Sequence, residues 1–270
     1  MRTRIISGVI GAVLLLAVLL QPVQVIVDIC FSILCCLAIY ELLHETKICK
    51  STPILIVSEL FSASVPFWHF FSINAVCAVV FFYLTCVGIL HVVFHDNQSI
   101  VVSLFSALIS ILVSIALSAV AFVRSRENHG LFLTIWLLLI PWMSDTGAYF
   151  VGVCLGRHKL CPVISPKKTI EGLVGGLLTS VVICSVITIL YNSLWSKSGS
   201  LNVWLVAVVT LLGAVLSVFG DLTASLIKRE CNIKDFGKIM PGHGGIMDRF
   251  DSLMYTAPLV LLALSILPIC

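Results

Sequence analysis

The residues that could do chemistry crowd into one stretch, Phe219 to Asp251, the most polar part of an otherwise apolar chain. Its 33 residues hold five basic side chains (Lys228, Arg229, Lys234, Lys238, Arg249) and five acids (Asp221, Glu230, Asp235, Asp248, Asp251). His243 stands in the turn Pro241-Gly242-His243-Gly244-Gly245, and hydrophobic runs lie on both sides. Carboxylates hold hard divalent cations, ammonium and guanidinium groups hold phosphates, and glycine lets backbone approach a ligand closely. A solvated charged loop between two spans would also be polar. Interleaving with a Gly/His turn, and acids placed where solvation is poor, favour phosphate chemistry on a lipid at a membrane edge.

Helical spacing says how these groups could be positioned. Asp221, Ser225 and Lys228 follow i, i+4, i+7, so one face carries an acid, a hydroxyl and a cation as the helix leaves the membrane. Asp248 and Asp251 stand at i and i+3 on the next helix start, where their carboxylates can share a face beside Arg249. Asp221 brought to Asp248 would build an oxygen-rich site of the kind magnesium takes, carboxylates completed by substrate phosphate. Earlier, Trp142-Met-Ser-Asp145-Thr-Gly-Ala-Tyr149 buries an acid in a hydrophobic run. An intramembrane carboxylate costs roughly 3 kcal/mol even on insertion scales, so Asp145 should face a cavity or a partner. The run Ser165-Pro-Lys167-Lys168-Thr-Ile-Glu171-Gly then reads as a capped helix start that attracts anions, with two lysines to reinforce it. Ordinary basic flanking of a span is the alternative there.

Composition fixes the solvent around these groups. The 270 residues are 60% hydrophobic and 11% charged, with a mean hydropathy of +1.14, which excludes an ordinary soluble domain. Apolar runs of span length recur near residues 5–20, 23–43, 54–71, 73–94, 99–123, 131–152, 172–194, 202–227 and 252–268. The fold expected is therefore all-α, a polytopic membrane bundle of about nine helices. The first run also resembles the start of a signal peptide, but Gln21-Pro22 and more apolar sequence follow it rather than a small-residue cleavage site. With the N-terminus inside, thirteen of the 16 basic residues fall on the cytoplasmic side, leaving Arg124, Arg126 and Lys197 outside. Both polar loops, 153–171 and 228–251, then face the cytoplasm, and Asp145 and Asp221 can converge at one depth. Residues 1–130 read as scaffold helices and 131–270 as the catalytic region. In the scaffold, Glu41 and Glu59 are lone acids, Glu41 expected at an interface beside Lys47. The eleven cysteines show no metal or disulfide spacing and read as small hydrophobes.

The run Ser225-Leu-Ile-Lys228-Arg229, four residues, Lys234-Asp235-Phe-Gly237-Lys238, then Pro241-Gly-His243-Gly-Gly-Ile-Met-Asp248-Arg249-Phe-Asp251 resembles the signature of the phosphatidate cytidylyltransferase (CDP-diacylglycerol synthase) family. The SPKKTIEG run and the Trp142 to Tyr149 segment are similar to that family too, so the likeness covers the chain from about residue 136. Met240 departs slightly, standing where an aliphatic residue is usual.

The resemblance implies that CTP and phosphatidic acid give CDP-diacylglycerol and pyrophosphate, with magnesium, with or without a second, monovalent cation. It implies an α-helical membrane enzyme, a homodimer, with no nucleic-acid partner, for which the length suggests a bacterial inner membrane and a cytoplasmic site. Metal ligation falls on Asp221 and Asp248, with Asp145 and Asp251 as further acids of the same centre. Lys228, Arg229 and His243 join Asp221 and Asp248 as catalytic candidates. Ser165, Lys167, Lys168, Glu171, Ser225, Lys234, Asp235, Lys238 and Arg249 are the substrate-binding candidates. The chemistry needs no strong base, because the lipid phosphate is already ionised at neutral pH. Its barrier lies in bringing two anions together and in charge on the leaving pyrophosphate, which cations answer. Two alternatives stay open: a related CTP-using enzyme with a polyprenol or ether-lipid acceptor, and a transporter relaying ions through Asp145 and Asp221. The two halves are unlike, which disfavours the inverted repeats of many transporters.

Overall fold

A computed structural model describes residues 2–94, 98–162, 164–195, 199–240, 242 and 244–269, with side chains from Ser7 onward. The helices are α1 (Arg2–Leu19), α2 (Gln24–Tyr40), α3 (Thr52–Ser64), α4 (Ile73–Val93), α5 (Ile100–Arg124), α6 (Gly130–Leu155), α7 (Ile170–Leu194), α8 (Val203–Glu230), α9 (Met247–Phe250) and α10 (Leu253–Ile266). A π turn over Glu41–Glu45 continues α2, and a 3-10 turn over Val65–Phe70 continues α3. The expected all-α membrane bundle stands. Among the described residues, seven helical segments are long and apolar enough to cross a bilayer, and two more apolar helices (7–19 and α10) are shorter. The expected nine runs are thus all helical, but nine crossings are not established.

The chain forms two compact units. One comprises 1–122 with 228–250, the other 123–227 with 251–270. In the first unit, polar side chains tie apolar helices together where water is excluded. Ser114 donates to Ser62 Oγ at 2.7 Å, Ser58 and Tyr83 hydroxyls lie 2.9 Å apart, and Gln24 donates to the Ala121 carbonyl at 3.2 Å. Such bonds replace the hydrophobic driving force that lipid removes.

In the second unit small residues let α6 and α7 approach closely. A Cβ on Gly172 would stand 2.8 Å from the Ala148 carbonyl oxygen, too near for any larger residue without movement. Ser180 donates to the Ile140 carbonyl at 3.0 Å, next to Pro141, which lies inside α6 and lacks a backbone N–H to donate. Trp136 Nε1 donates to Thr210 on α8 at 2.9 Å, and Thr256 on α10 donates to the Gly213 carbonyl at 3.1 Å. Among the described residues all ten cysteines are free thiols.

Sequence spacing missed one element. Between α6 and α7 the chain makes a short hairpin, β1 (Lys159–Cys161) antiparallel to β2 (Ser165–Thr169), with Lys159 opposite Thr169 and Cys161 opposite Ser165. The lysine pair therefore lies on a strand just before the helix, and the helix is capped by Thr169, whose Oγ1 accepts from Gly172 N at 3.1 Å.

Candidate functional site

Within the second unit the hairpin and three helices enclose a cavity of about 440 Å³. Lys159, Lys167 and Lys168 supply its positive charge and Asp145 on α6 its negative charge. Tyr149, Val153, Leu160, Leu173 and Val218 supply apolar walls. Lys168 is ion-paired with Asp221 on α8, and Asp145 interacts electrostatically with both. The expected convergence of Asp145 and Asp221 is thus observed, with Lys168 joining them. Three ammonium groups beside greasy walls suit an anion attached to a hydrocarbon.

Local bonds explain why the hairpin holds its lysines there. Glu171, in the first turn of α7, accepts from Arg157 N at 3.0 Å and His158 N at 3.2 Å, and sits 2.6 Å from His158 Nδ1. Ile170 N donates to the His158 carbonyl at 3.0 Å. Glu171 therefore fastens the chain leaving α6 to the start of α7. Ser165 opens β2 opposite Cys161, and Lys167 is exposed. Ser225 lies half-buried on α8, one turn beyond Asp221.

A second polar cluster lies within the first unit. Asp248 Oδ1 accepts from Lys228 Nζ at 2.8 Å, and Oδ2 accepts from Phe236 N at 2.8 Å and Gly245 N at 3.0 Å. The Lys228 ammonium also stands over the Phe236 ring, 5.2 Å from its centre. Gly244 adopts φ +86° against Asp235 and Asp248, a left-handed conformation that only glycine takes without strain. Arg229, Lys234, Asp235, Lys238 and Arg249 are exposed around this cluster. His243, with Pro241, lies outside the described residues.

Two expectations need correction. Asp248 and Asp251 do not share one helical face, because α9 ends at Phe250 and residues 251–252 form a turn. Asp251 is buried, and its Oδ1 accepts from Ser252 N at 2.7 Å. Glu41, expected at an interface beside Lys47, is instead drawn into the protein. It is buried, and its carboxylate accepts from Ile246 N at 3.0 Å and Met247 N at 2.9 Å. Sequence reasoning also passed over Asp28, a fully buried acid that accepts from Gln24 Nε2 at 2.9 Å and lies 3.0 Å from His69 Nε2. The i, i+4 spacing of Gln24 and Asp28 inside an apolar run was the available signal.

Comparison with known proteins covers nearly the whole chain. The model of the cytidylyltransferase family matches residues 2–267. A phosphatidate cytidylyltransferase of Staphylococcus aureus (strain COL) is 33% identical over 267 residues, 96% of this chain and 97% of that protein. One of Staphylococcus haemolyticus (strain JCSC1435) is 42% identical over 151 residues, 55% of this chain and 56% of that protein. A third, from Staphylococcus saprophyticus, is 42% identical over a stretch of the same length.

Proposed function

This chain belongs to the cytidylyltransferase family, and we propose that it transfers the cytidylyl group of CTP to phosphatidic acid, giving CDP-diacylglycerol and pyrophosphate. The observation that carries this reading is the cavity in which Lys159, Lys167 and Lys168 stand beside apolar walls. That lining suits a phosphate joined to acyl chains better than it suits a free ion or an uncharged prenol.

A phosphatidate oxygen attacks the α-phosphorus of CTP, the bond to the β-phosphate bridging oxygen breaks, and its electron pair leaves with pyrophosphate. Lys168, held by Asp221 and set in the cavity wall, is the ammonium a substrate phosphate can take over. Lys159 and Lys167 lower the repulsion between the two anions, and Lys228 and Arg229 add positive charge at the end of α8. His243 and the exposed Lys234, Lys238 and Arg249 are further candidates to meet phosphate.

Magnesium fits the donors present, though no three His, Cys, Asp or Glu gather among the described residues. It needs only one or two carboxylates when substrate phosphate and water complete its shell. Asp221, beside Asp145, is the carboxylate free to serve once Lys168 is drawn away. Asp248 is a candidate too, although it would first have to give up Lys228. When bound, the ion would supply charge neutralisation for the triphosphate and the leaving pyrophosphate. We assign the site to the cytoplasmic face of a bacterial inner membrane from the distribution of basic residues, and a homodimer from the family resemblance.

The test uses purified protein in detergent micelles with phosphatidic acid, Mg²⁺ and CTP radiolabelled at the α-phosphate. Label should enter the lipid with wild type and be lost with Asp221→Asn. Wild-type protein that leaves all label in the aqueous phase sinks the reading; retention in Asp221→Asn sinks only the metal assignment.

A further inference from the structure

The helical half that reads as scaffold sends one carboxylate into the glycine-rich segment that carries Asp248. Glu41 opens the π turn that follows α2 and is 1% exposed. The extra residue of a π turn re-aims the side chains around it, and such turns recur at functional sites. Its two oxygens each accept from one of two consecutive backbone donors, Ile246 N and Met247 N. Two parallel N–H groups on the two oxygens of one planar group make a bidentate fit that a carboxylate satisfies fully. Gly237 and Gly245 both press against this carboxylate, and a Cβ on either would overlap it. On the far side of the same loop, Asp248 takes the Phe236 and Gly245 donors while pairing with Lys228. Phe236, Gly237 and residues 245–247 are therefore gripped between two acids, and Glu41 holds peptide groups just before Asp248.

We propose that Glu41 is a positioning residue for cytidylyl transfer: it touches no substrate but sets the first turn of α9, and through it the Asp248–Lys228 pair. This rests on the activity proposed above. A displacement of about 1 Å at a reacting group can cost roughly a hundredfold in rate. A loop anchored by one buried carboxylate leaves little freedom for such drift.

The test measures kcat, KM for CTP and thermal midpoint for wild type, Glu41→Gln, Glu41→Asp, Gly245→Ala and the Gly245→Ala/Glu41→Asp double variant. Glutamine offers one acceptor and turns an NH2 group toward a backbone N–H. It should lower kcat about a hundredfold while KM for CTP changes little. Aspartate keeps both oxygens and should recover a substantial part of that loss. Gly245→Ala leaves Glu41 in place but crowds it, so activity should fall. The shorter acid makes room for the methyl, so the double variant should be more active than Gly245→Ala alone. Wild-type kcat in Glu41→Gln, losses that merely track the thermal midpoint, or strictly additive effects in the double variant each overturn the role given to Glu41. Those results leave the proposed activity standing. A wild-type protein that transfers no cytidylyl group overturns both.

Discussion

Two lysine–aspartate pairs stand among the candidate residues, one in each unit, and their surroundings differ. Lys168 and Asp221 are both about a quarter exposed, whereas Lys228 is 15% and Asp248 4% exposed. The Asp221 side chain is partly hydrated, and Asp145 stays beside the Lys168 ammonium when Asp221 is replaced, so losing the pair costs little stability. Asp221→Asn should therefore leave the thermal midpoint near that of wild type while transfer collapses, as scanning fluorimetry and the lipid-label assay would show. Asp248→Asn is expected to behave differently. Its carboxylate satisfies two backbone donors as well as the lysine, and an amide must turn an NH2 group toward one of them. Leaving such groups unsatisfied costs about 1–3 kcal/mol each, so the midpoint and the activity should fall together. A midpoint for Asp248→Asn equal to that of Asp221→Asn would contradict this ranking.

At the scale of elements, the junction between the hairpin and α7 decides where the lysines point. Thr169 caps the helix and closes the strand that bears Lys167 and Lys168. Thr169→Ala should cost about 1 kcal/mol and raise KM for the phosphate-bearing lipid more than it lowers kcat. Glu171 performs a related task by tying Arg157 and His158 to the first turn of α7. Glu171→Ala should likewise act on KM, a split that steady-state kinetics in mixed micelles resolves. Gly172 belongs to the packing of the same junction. Valine there must displace the Ala148 carbonyl or spread α6 from α7. Gly172→Val is expected to lower the thermal midpoint more than Thr169→Ala does.

For the whole molecule, helix length bears on how many segments cross. α10 has 14 residues, or about 21 Å at 1.5 Å per residue, short of the roughly 30 Å hydrocarbon core. The basic residues nonetheless favour an inside N-terminus and an outside C-terminus, with loops 153–171 and 228–251 inside. Alkaline phosphatase, active only outside the cytoplasm, should be active when fused after Arg126 and inactive after Arg157. Activity of a fusion at the C-terminus would mean that α10 crosses; inactivity would end the count at α8. Active fusions after Arg157 would reverse the topology and move the proposed site to the other face.

Much of this was legible in the sequence because charge inside an apolar run is conspicuous and helical spacing sets depth. Asp145 and Asp221 stand out as acids where hydrocarbon is expected, and the structure brings them together with Lys168, which lines the cavity beside Asp145. The helices themselves follow from runs of span length, since a bilayer forces the backbone to satisfy its own hydrogen bonds. The hairpin was hidden because its strands are three and five residues long and one contains Pro166. The break after Phe250, which separates Asp248 from Asp251, depends on a turn that helical spacing does not foresee. Glu41 was hidden for a deeper reason. It binds backbone N–H groups 205 and 206 positions away, and nearly every residue carries such a donor, so no residue type or spacing marks the partner. Sequence by itself determined the solvent, the helices and the charges that must be paired. Only the tertiary structure decided which peptide groups a buried carboxylate holds, because that choice is made by packing between segments distant in the chain.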